Sequence, residues 1–172
     1  LRLGPGLDWG PDMGSLTSER QLRKVSDLVE DAVQKGARLL TGGRRREDLG
    51  PYFYEPTVLE GVTPEMRLFS EEAFGPVVWL DSFTSDEEAI EKANQSTYGL
   101  AASIYGEDGE SARNLATWIH AGTVTVNDAY PLGWGAVDGT MGGMKASGTG
   151  RRHGEEGIRR FTQSQTVTEN RG

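Results

Sequence analysis

The chain contains 172 residues, of which 35% are hydrophobic and 26% charged, and its formal net charge is −8. This composition predicts a folded, soluble protein with a core, and the acidic balance argues against nucleic acids and anionic membrane surfaces as partners. No apolar stretch approaches the about 20 residues that span a bilayer, the first residues lack the apolar segment of a signal peptide, and the absence of cysteine excludes a disulfide or a thiol nucleophile within this chain. We therefore expect a reducing, cytoplasmic environment.

The residue pattern in the first half of the chain predicts one amphipathic helix followed by three strands. The helix is expected over residues 17–36, with Ser18 and Gln21 forming a capping box and Gly36 ending it. Its apolar face has the 3.6-residue period of a helix and consists of Leu22, Val25, Leu28, Val29, Ala32 and Val33. The strands are expected at residues 37–43, 57–62 and 76–83.

The second half alternates helices with strands. Helices are expected at residues 84–96, 108–122 and 155–161, and strands at 99–106, 123–127 and 163–169. A glycine-rich loop is expected at residues 128–152. Trp118 and Trp134 are candidates for the core or for a pocket wall, with the core favoured for Trp118. Because strands alternate with helices, the sequence predicts an α/β fold with a parallel-rich sheet and flanking helices.

Two adjacent carboxylates, Glu71 and Glu72, stand in the segment EEAFGP. They are candidates for acid–base catalysis, for binding a ligand, or for a solvated surface. Adjacent residues point in different directions, and paired catalytic carboxylates usually come from separate elements. Composition alone therefore favours a solvated or structural role, although a loop that enters a buried parallel strand is a common place for a ligand.

The glycine-rich segment GGMKASGTGRRHG does not fit a nucleotide-binding loop. A Walker loop needs Gly-Lys-Ser/Thr, whereas Lys145 follows Met144 and precedes Ala146. The third glycine of a dinucleotide fingerprint is also absent after Gly150. A loop that needs close approach of backbone is the favoured interpretation. His120 and His153 have no neighbours at metal-ligand spacing, so we expect no metal site.

Six segments, in their order and spacing, resemble the closing part of NAD(P)-dependent aldehyde dehydrogenases. They begin with GPDMGSLTSERQLRKVSDLVEDAVQKGARLLTGG and FYEPTVLEGVTPEMRLFSEEAFGPVV, and continue with ANQSTYGLAASIY, AGTVTVN, MGGMKASGTGR and FTQSQTV. The resemblance covers nearly the whole chain but only about the last third of such an enzyme. We therefore expect residues 1–161 to be part of the catalytic domain and residues 162–172 to be a C-terminal oligomerisation strand and tail.

The resemblance implies covalent chemistry whose reactive groups are not in this chain. In the family, a cysteine thiolate attacks the aldehyde, hydride passes to the nicotinamide, and a glutamate-activated water hydrolyses the thioester. Both of those residues precede the part of the enzyme that this chain resembles. No catalytic residue is therefore assigned here, and the chain alone is expected to be inactive, with weak or no binding of NAD or NADP.

The resemblance also implies binding roles for single residues. Glu72 matches the carboxylate that binds the nicotinamide ribose, and Phe74 matches the aromatic residue beside it. Gln21 and Lys24 match residues that approach the same ribose. Asn127 and the loop that ends at Met141 match the residues that form the wall of the substrate tunnel in the family.

The substrate and the assembly are implied less directly. The segments NDAYPLGWGAVDGTMGGMK and GRRHGEEG resemble bacterial succinate-semialdehyde dehydrogenases, and Arg151 or Arg152 could meet the substrate carboxylate, although a surface role is favoured for both. The strand QSQTVTE implies a homo-oligomer, a dimer or a tetramer. Two alternatives stay open, namely a non-catalytic oligomerisation or binding module and an unrelated enzyme that uses Glu71 or Glu72.

Overall fold

A computed structural model describes residues 1–6, 10–129 and 135–172. The chain forms two compact units, Leu1–Ser82 and Phe83–Gly172. Both units combine helices with short β-sheets, and parallel strand pairs occur in each. The predicted α/β class is therefore confirmed. Within these described ranges, no helix is both long and apolar enough to cross a membrane.

The first unit is organised around helix α1, Glu19–Gln34. The helix begins where the sequence predicts, because Ser18 Oγ accepts a hydrogen bond from Gln21 N at 3.3 Å and satisfies one of the free amides of the first turn. The predicted capping box is only half formed within the described residues, because the Gln21 side chain donates to the carbonyls of Ala73 and Phe74 instead.

Helix α1 ends at Gln34 with Lys35 as its C-cap, and the amide of the following Gly36 donates to Val33 O at 3.0 Å. The φ of Gly36 is 105°, a conformation that glycine adopts at low cost.

One face of α1 provides much of the core of this unit. The buried apolar residues of the helix are Leu22, Val25, Leu28, Val29 and Ala32. Val33 was predicted to join them, but it is 42% exposed. It shares an angular position with Leu22 but lies in the last turn, where less of the unit covers the helix, so the prediction for Val33 was wrong.

A three-stranded sheet accompanies α1 in the first unit. Its strands are β1 (Arg38–Thr41), β2 (Thr57–Glu60) and β3 (Val77–Leu80), in the spatial order β1-β2-β3. The central strand β2 is antiparallel to β1 and parallel to β3. A short helix, α2 (Arg67–Ser70), lies between β2 and β3 in the chain. Residues 71–76 therefore connect a helix to a parallel strand.

The second unit contains a β–α–β arrangement, in which β5 (Ala101–Ile104) runs parallel to β6 (Thr123–Val126) and α4 (Gly109–Ala116) connects them. This is the usual way to join neighbouring parallel strands. The other elements of this unit are α3 (Asp86–Asn94), the antiparallel pair β4 (Tyr98–Gly99) and β7 (Met144–Lys145), and α5 (Gly154–Arg159).

Three expectations for the second unit differ from the structure. Helix α4 ends at Ala116, and Trp118 lies beyond it with 65% of its surface exposed, so the prediction that Trp118 belongs to the core was wrong. The glycine-rich loop contains strand β7, which the sequence did not predict. Residues 163–172 form neither helix nor strand in this single chain and are exposed. Trp134 lies outside the described residues.

Candidate functional site

The clamp loop, defined as residues 71–76, separates its two carboxylates. Glu71 accepts hydrogen bonds from Arg67 Nε at 2.7 Å and from Arg67 Nη2 at 3.1 Å, and this guanidinium lowers the pKa of Glu71 below its ordinary value. Glu72 is exposed, and no hydrogen bond or ion pair joins its carboxylate to another residue in the described part of the chain. One carboxylate is thus engaged and its neighbour is free, which does not favour a shared acid–base role.

Phe74 projects from the same loop in an unusual backbone conformation. Its φ is 47°, in the left-handed region that non-glycine residues rarely adopt, and its side chain is 73% exposed. Gly75 follows it, and a Cβ at that position would lie 2.5 Å from Val25 Cγ2 of α1. The close contact with α1 therefore requires glycine after Phe74, and the turn directs the aromatic ring outwards.

Gln21 is brought directly to the clamp loop. Its Nε2 donates to Ala73 O at 2.8 Å and to Phe74 O at 2.9 Å. Lys24, one turn further along α1, is half-buried and lines an open depression of about 450 Å³. The other lining residues of this depression are Glu19, Arg20, Arg23, Asp27 and Arg67. Gln21 thus contacts the clamp loop directly, and Lys24 lines a depression together with Arg67, which binds Glu71 of that loop.

Two residues that sequence reasoning missed also contact the region of the clamp loop. Asp31 Oδ2 accepts a hydrogen bond from the amide of Arg67 at 2.9 Å, and the pKa of Asp31 is lowered by Lys35, whose ammonium lies 2.8 Å from its Oδ1, and further by this amide. The side chain of Arg67 engages Glu71. The four-residue spacing of Arg67 and Glu71 is typical of an ion pair on a helix and could have indicated this contact.

In the second unit, Asn127 follows the carboxyl end of β6. Its Oδ1 accepts from Gly106 N at 2.8 Å and its Nδ2 donates to Gly106 O at 2.9 Å. Its φ is 55°, a conformation that asparagine tolerates better than most residues. The side-chain amide of Asn127 therefore links two segments of the chain. Its place on the substrate tunnel wall stays a prediction.

Met141 is buried and pairs with Arg152 through two backbone hydrogen bonds of 2.7 and 2.6 Å. Arg152 Nη2 also lies 3.9 Å from Met141 Sδ. Arg151, in contrast, donates to Gly143 O at 2.9 Å and to Gly150 O at 3.0 Å. Of the two arginines considered for a substrate carboxylate, Arg152 is the exposed one.

The glycine-rich segment of the second unit is packed backbone against backbone. A Cβ on Gly122 would lie 1.6 Å from Gly142 O, and a Cβ on Gly142 would lie 2.2 Å from Gly150 O. Lys145 donates to the carbonyls of Asn94 and Ser96, both at 2.9 Å. The prediction of close backbone approach is confirmed. Within the described ranges there is also no group of three potential metal ligands among His, Asp and Glu.

Comparison with known proteins identifies the family. The aldehyde dehydrogenase family model matches residues 1–167. The chain belongs to the aldehyde dehydrogenase family. The solved structure of an aldehyde dehydrogenase from Bacillus cereus in complex with NAD+ superposes with a TM-score of 0.89 and 37% identity, over 100% of this chain and 34% of that chain. An aldehyde dehydrogenase from Mycobacterium tuberculosis complexed with NAD+ gives a TM-score of 0.85 at 37% identity, over 95% of this chain and 33% of that chain.

Curated aldehyde dehydrogenases give the same result. A Mycolicibacterium smegmatis protein named "putative succinate-semialdehyde dehydrogenase", with NADP(+) in its name, is 50% identical over 171 residues, which are 99% of this chain and 33% of the relative. The betaine aldehyde dehydrogenase of Bacillus subtilis is 38% identical over 99% of this chain and 35% of its own length. The chain therefore spans about a third of the length of the curated relatives that it matches.

Proposed function

We propose that this chain contributes the nicotinamide-ribose clamp, part of the aldehyde tunnel and a subunit contact to an NAD(P)-dependent aldehyde dehydrogenase that oxidises succinate semialdehyde. The observation that carries the proposal is the division of roles in the clamp loop, where Glu71 is bound to Arg67, whereas the exposed Glu72, two positions before the exposed Phe74, has no hydrogen-bond or ion-pair partner among the described residues. A free carboxylate can accept hydrogen bonds from both hydroxyls of a ribose, and an exposed ring beside it offers a flat apolar surface to a nicotinamide.

The residues of the clamp are suited to orient a nicotinamide dinucleotide, which when bound supplies the acceptor for hydride. Glu72 would fix the ribose, Phe74 would limit movement of the ring, and the Lys24 ammonium would offset negative charge beside the ribose. Holding two reacting groups in the correct geometry accelerates a reaction strongly. The chain has no cysteine, so the thiol nucleophile would come from outside these 172 residues, and the chain alone should be inactive.

The names of the relatives support the proposed substrate and cofactors. Relatives at 47% and 50% identity carry the name of succinate-semialdehyde dehydrogenase with NADP(+), whereas the solved structures contain NAD+. In this proposal Asn127 and the buried Met141 line the substrate tunnel. Arg152, against the sulfur of Met141, is the cation available to a substrate carboxylate.

The proposal extends to residues 162–172 and to the assembly. These residues are exposed and belong to no strand in the single chain, where Val167 is 83% exposed. A peptide strand leaves its amide and carbonyl groups available for pairing with another chain. We therefore propose that they add a strand to the sheet of a neighbouring subunit in a cytoplasmic homo-oligomer.

A chimeric enzyme tests the catalytic proposal. The C-terminal third of the M. smegmatis relative is replaced by this chain, and NADPH formation from succinate semialdehyde is followed by absorbance. The chimera should be active, and Glu72→Gln should slow hydride transfer by about 10- to 100-fold because the ribose loses its charged acceptor. Hydrolysis of an activated ester, which needs the cysteine but no cofactor, should be unchanged.

Glu71→Gln is the matched control, because it removes the adjacent carboxylate by the same chemical change. Its amide oxygen can still accept from Arg67, and exposed ion pairs contribute about 1 kcal/mol or less, so hydride transfer should stay near that of the parent chimera. Equal losses in the two variants would contradict the assignment of Glu72. An inactive chimera, together with a 172-residue chain that folds and self-associates alone, would instead support the non-catalytic module.

A further inference from the structure

Helix α1 makes hydrogen bonds to the segment containing the clamp loop at two separate points. At the first, Asp31 Oδ2 accepts a hydrogen bond from the amide of Arg67 at 2.9 Å, where α2 begins. At the second, Gln21 Nε2 donates to the carbonyls of Ala73 and Phe74 at 2.8 and 2.9 Å. Glu72 lies between these two points in the chain. We infer that Gln21 and Asp31 are positioning residues that together set the location of Glu72 and the orientation of Phe74.

The two contacts are well separated on a rigid support. An α-helix rises 1.5 Å per residue, so Gln21 and Asp31, ten positions apart, are about 15 Å apart along the axis of α1. Between them the helix is fixed by its buried face, in which Val25 and Leu28 have no exposed surface. The seven residues from Arg67 to Ala73 are therefore held at both ends by one element that cannot easily bend.

The contact at Gln21 also fixes the conformation of Phe74. Both amide hydrogens of Gln21 are donated to consecutive carbonyls, which restrains the peptide groups on either side of the Phe74 Cα. The φ of 47° at Phe74 is unfavourable for an aromatic residue and persists only where the surroundings enforce it. Because Gly75 packs against Val25 of the same helix, α1 determines the turn on both sides of Phe74.

The contact at Asp31 is supported by charge. Lys35 Nζ lies 2.8 Å from Asp31 Oδ1 and donates to Glu65 O at 2.8 Å. The carboxylate thus holds the start of α2 through one oxygen and is itself held by Lys35 through the other. The helix that starts at Arg67 in turn presents the Arg67 side chain to Glu71. Of the two adjacent carboxylates, Glu72 is therefore the one without a partner in the described part of the chain.

This role is distinct from the ribose contact that the family resemblance implies for Gln21. Both donors of its amide face the protein backbone, so only Oε1 is available to another group. The inference rests on the proposed function in one respect, because Gln21 and Asp31 would position Glu72 and Phe74 for their proposed contacts with the cofactor.

Hydrogen exchange on the 172-residue chain tests the positioning role without any cofactor. Gln21→Met keeps the length of the side chain and removes its donors, and Asp31→Asn removes the charge. In both variants the amides of Glu71 and Val77 should exchange about 10-fold faster, while those of Leu28 and Val29 in the core of α1 should be unchanged. Gln34→Met and Asp27→Asn, on exposed positions of the same helix, are the matched controls and should leave the exchange of Glu71 and Val77 unchanged.

The same substitutions in the chimeric enzyme separate this inference from the proposed function. Gln21→Met should raise KM for NADP+ about 10-fold and slow hydride transfer, with cofactor-independent ester hydrolysis unchanged. Unchanged exchange of Glu71 and Val77 in both variants would overturn the positioning role, whatever the kinetics. Faster exchange with unchanged KM and hydride transfer would confirm the positioning role and contradict the proposed contacts of Glu72 and Phe74 with the cofactor.

Discussion

Arg67 and Glu71 form a two-bond ion pair across one turn, with Nε and Nη2 of the guanidinium 2.7 and 3.1 Å from the two carboxylate oxygens. The pair decides which member of the adjacent carboxylates Glu71 and Glu72 is available to a ligand. It also explains why two chemically identical neighbours have different environments. The residue pattern placed both carboxylates on one loop, and the resemblance assigned Glu72 to a ligand and left Glu71 solvated, so the ion pair of Glu71 with Arg67 was not predicted.

Arg67→Gln should return the pKa of Glu71 towards its ordinary value of 4.5. The pKa in the folded state is depressed, so the ion pair contributes stability above pH 4.5, and this contribution is lost as the pH falls through the folded value. Carboxyl NMR titration of the folded chain measures the change directly. Arg23→Gln, on α1, serves as the control, and a Glu71 titration that moves equally in that variant would contradict the assigned cause.

Gly122→Ala should destabilise the second unit by about 3 kcal/mol, because the new Cβ would lie 1.6 Å from the carbonyl oxygen of Gly142 and two backbone segments would have to separate. Urea unfolding followed by circular dichroism measures the change. Gly135→Ala is the matched control, since a Cβ there meets nothing within 4 Å. Similar unfolding midpoints for the two variants would show that the close approach does not require glycine.

Tyr54→Phe should reduce the loss of folding stability that the first unit undergoes at alkaline pH. The Tyr54 hydroxyl is buried and makes no hydrogen bond of normal geometry within the described residues, although Ser26 lies near it. Burial raises the pKa of Tyr54 to about 12 from an ordinary value of 10.0. A raised folded pKa means that stability present below pH 10 falls as the pH rises towards 12, here by about 2 kcal/mol.

The free energy of unfolding is measured between pH 9 and pH 12, a range that includes the ordinary and the raised pKa of Tyr54. Tyr54→Phe should flatten this profile, and it should not lower stability at neutral pH because it removes a buried hydroxyl without a good partner. Tyr52→Phe, two residues away, should retain the slope of the parent chain. A steep profile in Tyr54→Phe would assign the alkaline loss to other groups.

Local physical chemistry accounts for the features of the fold that the sequence predicted. The start of α1 depends on Ser18 and Gln21, three residues apart, and its end depends on Gly36. The β–α–β arrangement of β5, α4 and β6 was predicted because a strand pattern, a helix pattern and a second strand pattern follow one another along the chain. Arg67 and Glu71 belong to the same class of local signals, because their four-residue spacing on a helix is sufficient to suggest the contact.

The features that the sequence did not predict depend on residues far apart in the chain. Gln21 meets the Phe74 carbonyl 53 positions away, and no local pattern indicates this hydrogen bond. The two-residue pairing of β4 with β7 is equally remote and too short to show a period of its own. The helix predicted at residues 108–122 extends past Ala116, where α4 ends, so the sequence overestimated the length of this helix, and it also overestimated the burial of Trp118.

Asn127 offers a test that separates a structural role from a role in the substrate tunnel. Its amide makes two hydrogen bonds to Gly106, and its φ of 55° is left-handed. Asn127→Ala should lower the free energy of unfolding by about 2 kcal/mol through the loss of both bonds and the backbone strain. Asn127→Asp should cost less, since its oxygen can still accept from the Gly106 amide.

Asn127→Gly separates these two contributions to the stability of the second unit. Glycine adopts the left-handed conformation without strain but cannot bond to Gly106, so its stability should lie between those of the parent chain and Asn127→Ala. Urea unfolding of the 172-residue chain measures all three variants. If stability is unchanged in Asn127→Ala while the matching chimera loses turnover with succinate semialdehyde, then Asn127 acts on the substrate and its contacts with Gly106 contribute little to the fold.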